Sequence, residues 1–217
     1  MTTISHAVSQ FNAGFTEQIG PQLAEVFAAE QEALVASGTP AGAVTVGSAA
    51  PDARLLDPDG VEVGLYEAIG DAPAVIVFYR GAWCPYCNIT LRHYQENLLP
   101  SLQERGIRLV AISPQHPEGS AAAVANGGLE FTVLSDPANS LVDALGILTE
   151  PSGDARAAHT ELGFDVADSN ADATGNIPFP TVLVLGRDRA VTFVDVKVDY
   201  TSRTEVPTIL AAVDALS

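Results

Sequence analysis

Two hydrophobic patterns alternate along this chain, stripes at three-to-four spacing and short continuous runs. The first stripe, Ile4, Val8, Phe11, Phe15, Ile19, Leu23, Val26, Phe27 and Leu34, predicts an amphipathic helical extension from Met1 to about Ser37. Gly20-Pro21 interrupts it, with Pro21 opening a second helix and Gly38 ending that one. Packing of the stripe on its own domain is the expected arrangement, and a homodimer interface is the alternative. Residues 38–48 read as a small-residue linker. Residues 47–65 place Pro58-Asp59-Gly60 between two short alternating segments, which predicts a β-hairpin.

Ala74 to Tyr79 is a continuous apolar run and suits a strand buried on both faces. From Trp83 the spacing turns helical through Leu91, Tyr94, Leu98 and Leu99, until Pro100 is expected to stop it. Ile107–Ile112 is a second buried strand, parallel to the first because a helix connects them. A helix over 117–127, a strand over 131–134 and a helix over 137–145 capped by Asp136 follow. Residues 148–177 are least regular, and their polar tract 165–176 reads as a solvated insertion, with a lid over the thiol site at Cys84 and Cys87 as the alternative. A strand over 181–185 headed by Pro180, a turn at 187–189, a strand over 191–198 and a helix over 206–216 close the chain.

At 217 residues this order fits one α/β domain, residues 46–217, with an N-terminal helical extension, residues 1–45. The net charge of −17 and the single lysine, Lys197, argue against nucleic acid and anionic membrane surfaces as partners. No apolar run reaches the roughly 20 residues of a membrane span. No Lys or Arg precedes Arg54, so neither a secretory signal nor a transit peptide is expected and the cytoplasm is the default. The four histidines lack partners at ligand spacing, and no metal or other cofactor is predicted.

The chain's two cysteines, Cys84 and Cys87, fall where strand gives way to helix. A helix N-terminus favours a thiolate, which predicts a depressed pKa at Cys84. Cys87 lies one turn on, placed to close an internal disulfide with it, and Arg80 adds a nearby cation.

Trp83-Cys84-Pro85-Tyr86-Cys87 resembles the active site of the thioredoxin superfamily, and its Cys-Pro-Tyr-Cys core is the glutaredoxin tetrapeptide. The flanks Phe78–Trp83 and Leu91-Arg92 resemble the peroxiredoxin-like branch of the alkyl hydroperoxide reductase/thiol-specific antioxidant (AhpC/TSA) family. So do Ala50-Pro51-Asp52, Val110–Gln115, Val133–Pro137, and Asp199-Tyr200-Thr201 with Arg203 and Glu205. The resemblance implies a thioredoxin fold, peroxiredoxin-like, with a mixed central sheet flanked by helices. It also implies Cys84 as nucleophile, Cys87 as resolving thiol, Trp83 as a shielding neighbour, and a cis bond before Pro180 facing the cysteines.

The implied activity is a thiol peroxidase reducing hydrogen peroxide or organic hydroperoxides, recycled by thioredoxin, glutaredoxin or glutathione. A dithiol-disulfide oxidoreductase is the alternative, and a redox-switched binding protein without turnover is a third reading from another class. The chain departs from peroxiredoxins at three points. Val77 and Gly81 stand where they place Pro and Thr or Ser, and Pro180 stands where they place a peroxide-polarising arginine. Arg80, Arg92 and Arg203 are the candidates to replace it.

Overall fold

The computed structural model describes residues 2–216; Met1 and Ser217, at the outer ends of the two expected segments, lie outside them. Helices α1 (Ile4–Ile19) and α2 (Pro21–Ser37) meet at Gly20, whose φ of 81° lies outside helical space, and Pro21 occupies the first turn of α2. The hairpin follows as β1 (Arg54–Leu56) and β2 (Glu62–Gly64), then the short α3 (Leu65–Ile69).

The central strand β3 (Ala74–Phe78) leads into α4 (Pro85–Asn97), α5 (Leu99–Glu104) and β4 (Arg108–Ser113). Pro100 does not end the helical segment as expected. It sits in the first turn of α5, where its missing N–H costs nothing, so the chain jogs at Leu98 and continues.

Next come α6 (Pro117–Gly127), β5 (Thr132–Ser135) and α7 (Ser140–Ala144). The Asp136 carboxylate accepts from the backbone N–H groups of Ser140, Leu141 and Val142, so it caps this helix as predicted. The helix starts later than 137 because Asn139 adopts a left-handed conformation, with φ 52°.

The region expected to be a solvated insertion is instead folded, as β6 (Leu148–Thr149), α8 (Gly153–Glu161), α9 (Val166–Ser169) and β7 (Ile177–Pro178). Its polar residues serve their own backbone. Asn170 is fully buried and donates to the carbonyls of Thr174 and Asn176, while Asp172 accepts from Thr174. The chain ends in β8 (Thr181–Leu185), β9 (Val191–Val196) and α10 (Val206–Asp214).

Seven strands form one mixed sheet in the order β2-β1-β5-β4-β3-β8-β9, and β6 and β7 pair separately. β3 is parallel to β4 and antiparallel to β8, and β4 is parallel to β5. Every residue of β3 is buried, and its side chains divide strictly by parity. Val75, Val77 and Tyr79 join the cluster that contains both cysteines, α4, α5 and α10, while Ala74, Ile76 and Phe78 join the opposite cluster with α3 and α7. Ile4 and Val8 of α1 are buried in the first cluster, so the extension packs on the cysteine-bearing layer. Each such aliphatic side chain contributes about 1.5–3 kcal/mol. Among the described residues no helix is long and apolar enough to cross a membrane.

Candidate active site

The chain leaves β3 at Phe78 and must turn toward solvent before α4 can begin. Gly81 makes that turn with φ 147°, a conformation side-chain-bearing residues avoid. The Trp83 indole then folds back over Gly81 so closely that a Cβ there would lie 2.4 Å from Nε1. The hydroxyl residue of peroxiredoxins has no room at this position. Gln115, from the end of β4, holds the loop: its Oε1 accepts from the Ala82 N–H at 2.8 Å, and its Nε2 donates to the Tyr79 hydroxyl at 3.1 Å. Asn88 of α4 closes the other side by donating to the Ala82 carbonyl.

Cys84 is the N-cap of α4 and Cys87 lies in its first turn; both are free thiols and both are buried. The expectation of a thiolate on Cys84 is corrected here. No helix N–H is capped by the Cys84 side chain. Burial, and then the hydrogen bond to and charge of Cys87, push the Cys84 thiol well above its ordinary value, and Arg80 and Arg203 only partly oppose this. Burial also pushes Cys87 up, but there it is outweighed. The hydrogen bond from Cys84, the Arg203 guanidinium, the Arg80 backbone N–H and the Arg80 charge bring Cys87 down to about 5. Together these causes favour the negative charge on the inner sulfur, to which Arg203 Nη2 donates at 3.3 Å.

Pro180 lies on that inner side, bordering a void of about 10 Å³ with Cys87 and Arg203. The expected cis bond is not present: the bond before Pro180 is trans, as are all peptide bonds among the described residues. A cis proline serves a tight turn. Here β7 runs straight into β8, with Phe179 N–H donating to Ile147 and Thr181 Oγ1 to the Phe179 carbonyl, and no turn is needed.

Of the three candidate arginines, two reach the site. Arg203 touches Cys87. Arg80, only 4% exposed, is stacked between the rings of Trp83 and Tyr200 at 4.9 and 4.2 Å, and no carboxylate pairs with it among the described residues. Arg92 is exposed and donates to the Asn126 carbonyl instead.

The C-terminal segment containing Asp199, Tyr200, Arg203 and Glu205 has a role that its sequence did not disclose: it ties the N-terminal helices to the thiols. Glu205 accepts from the Ile4 and Ser5 N–H groups at the start of α1, and Asp199 accepts from Gln31 of α2. The Tyr200 hydroxyl donates to Glu30 of α2. On the outer side of Cys84 these helices, Trp83, Tyr86 of α4 and residues at and just past the end of α8 line a half-open cavity of about 380 Å³. His159 and Phe164 contribute to its wall, their rings 4.7 Å apart. His159, buried with its Nδ1 unpartnered, is kept neutral first by burial and then by the Arg80 charge, which lower it to about 4. No local motif marks His159 or Phe164, whereas Gln115 and Tyr200 lie in stretches that resemble the family without disclosing these contacts. Among the described residues no group of three or more His, Cys, Asp or Glu gathers at metal-binding distance.

Residues 46–194 match the sequence profile of the AhpC/TSA family. A Mycobacterium tuberculosis protein bearing the name peroxiredoxin is 34% identical over 107 residues, covering 49% of this chain and 67% of that protein. The thiol-disulfide oxidoreductase ResA of Geobacillus thermodenitrificans is 31% identical over 106 residues, 48% of this chain and 59% of that protein. Among solved structures, that of the peroxidoxin BcpB from Mycobacterium tuberculosis superposes with a TM-score of 0.61 at 21% identity, over 80% of this chain and 99% of that one. The family match begins after α1 and α2.

Proposed function

Because the chain belongs to the AhpC/TSA family, we propose that it is a thiol peroxidase in which Cys84 is the attacking sulfur and Cys87 the resolving one. The observation that carries this reading is the asymmetry of the pair. Cys84 borders the outer cavity, whereas Cys87 faces Arg203 and Pro180 on the inner side.

The chemistry follows from that asymmetry. The Cys84 thiol gives its proton to the neighbouring Cys87 thiolate, whose pKa it helps to lower. The Cys84 thiolate then attacks one peroxide oxygen: an S–O bond forms, the O–O bond breaks, and sulfur gives up two electrons. The departing hydroxide or alkoxide takes a proton from solvent and leaves as water or an alcohol. Arg80, unpaired at the cavity, faces the negative charge that develops on it. Cys87, ionised again, displaces hydroxide from the sulfenic acid; the Cys84–Cys87 disulfide forms and water leaves. A dithiol such as thioredoxin or glutaredoxin, or two glutathione thiols, supplies the two electrons that restore the pair.

The test is the stopped-flow change in Trp83 fluorescence when reduced protein meets hydrogen peroxide, beside a Cys84→Ser control. Trp83 is the only tryptophan, and it packs beside the cysteines. A second-order rate far above that of free cysteine, absent in the control, is expected; a rate equal to free cysteine rejects the reading. Similarity to ResA favours a second reading, reduction of disulfides by the same pair. Rapid insulin reduction together with sluggish oxidation by peroxide would select it.

A further inference from the structure

We propose that α1 and α2 complete a substrate pocket that makes this protein prefer hydroperoxides carrying a bulky aryl or branched alkyl group over hydrogen peroxide. The inference rests on the peroxidase reading and adds a specificity determinant outside the family domain.

Size is the first observation. The cavity at Cys84 measures about 380 Å³, within the roughly 300–1,000 Å³ range of small-molecule sites. Hydrogen peroxide is little larger than water, whose share of the liquid is about 30 Å³. It would leave most of this space to solvent against apolar walls.

Those walls are the second observation. Phe11 and Phe15 of α1 stack with centroids 5.0 Å apart, Phe27 of α2 stands beside His159, and Trp83 packs against Phe164. Aromatic faces of this kind accept a ring or a branched hydrocarbon through dispersion and burial. Phe11, Phe15 and Phe27 all precede residue 46, where the family match begins. Without the extension the cavity would lose that side.

The third observation is that the roof is fastened. Tyr86, two residues after Cys84, donates from its hydroxyl to Asn12 at 2.8 Å and meets Phe11 edge-on. Glu205 caps α1, and Asp199 accepts from Gln31 of α2. The fourth is Arg80, the single charged side chain in the lining among the described residues, buried and without a carboxylate partner among them. A largely apolar, half-open pocket with one cation beside the nucleophile matches a substrate whose only polar end is the O–O group. Cys84 attack then gives the sulfenic acid and, after a proton from solvent, the bulky alcohol.

The experiment uses the full chain. Cumyl alcohol, the product expected from cumene hydroperoxide, is titrated into the Cys84→Ser protein and read by Trp83 fluorescence, with saturable quenching expected. Phe15→Ala in the same background should weaken that binding about tenfold. With wild-type protein, kcat/KM should rise from hydrogen peroxide through tert-butyl hydroperoxide to cumene hydroperoxide, a comparison that needs no variant to fold. In Phe15→Ala the ratio of the cumene to the hydrogen peroxide value should fall about tenfold. Turnover of hydrogen peroxide that equals or exceeds that of the bulky substrates, without saturable cumyl alcohol binding, overturns the pocket and leaves the peroxidase reading intact. Reaction with no peroxide faster than free cysteine overturns the peroxidase reading and this preference with it.

Discussion

Replacing Gly81 by alanine tests whether the Cys84 loop is built on the contact between that glycine and Trp83. The added Cβ would meet Trp83 Nε1 at 2.4 Å, Trp83 Cδ1 at 2.7 Å and Gln115 Oε1 at 3.2 Å. Neither neighbour is free to swing away. The indole is held by Arg80, His159 and Phe164, and Gln115 is committed to the Ala82 N–H and the Tyr79 hydroxyl. Relieving such an overlap costs about 1–3 kcal/mol, and a side chain held in a sparsely populated backbone region costs about 1–3 kcal/mol more. The expected loss is therefore about 2–6 kcal/mol, which at a urea slope near 2 kcal/mol/M lowers the midpoint by about 1–3 M. Gly14→Ala is the control, since it lies in α1 with nothing within 4 Å of an added Cβ; it should stabilise by about 0.5–1 kcal/mol. Urea unfolding followed by far-ultraviolet circular dichroism measures both. A Gly81→Ala protein with a midpoint equal to wild type would refute the reasoning, because it would mean that Trp83 does not occupy the space the structure gives it.

Glu205→Ala should cost about 1–2 kcal/mol by leaving the Ile4 and Ser5 N–H groups uncapped. Hydrogen exchange should show α1 opening first, and unchanged protection there would contradict the capping role. His159 supplies a pH dependence. Its folded value is lowered from 6.5 to about 4, by burial and then by Arg80, so between those values the unfolded chain binds a proton that the folded chain refuses. Stability conferred by neutral His159 is thus complete above about pH 6.5 and is lost on acidification toward pH 4, by up to about 3 kcal/mol. His159→Leu should flatten that part of the stability curve, and parallel curves for the two proteins would count against it. Arg203→Gln removes the donor to Cys87 Sγ. Thiolate absorbance should then titrate above the value of about 5 set, against burial, by Cys84, Arg203 and Arg80 together; an unmoved midpoint would exclude Arg203 as the stabilising group.

The elements that carry the cysteines could be read directly from the chain, because their causes are local. Continuous apolar residues from Ala74 made a strand buried on both faces, and Pro85 preset the first turn of the helix holding Cys87. Gly20-Pro21 and Gly38 bounded the two N-terminal helices for the same reason. The order of strands and helices, with the Cys-x-x-Cys motif and its flanks, sufficed for the family and its fold. Local rules failed where a residue had more than one permitted outcome: Pro100 could end one helix or begin another, and Pro180 could turn the chain or extend it.

The charge and the cavity at the pair were decided by tertiary structure alone. A helix-terminus argument favoured the thiolate on Cys84. Burial raises that thiol instead, while Cys84 and Arg203, the latter brought from 116 residues away, lower the other sulfur. The segment expected to be solvated supplies His159 and Phe164 to the cavity, and a carboxylate 201 residues distant caps the first helix over it. Periodicity and backbone preference act over a few residues and so are written in neighbouring letters. A buried charge or an enclosed volume depends on which surfaces the finished sheet brings together.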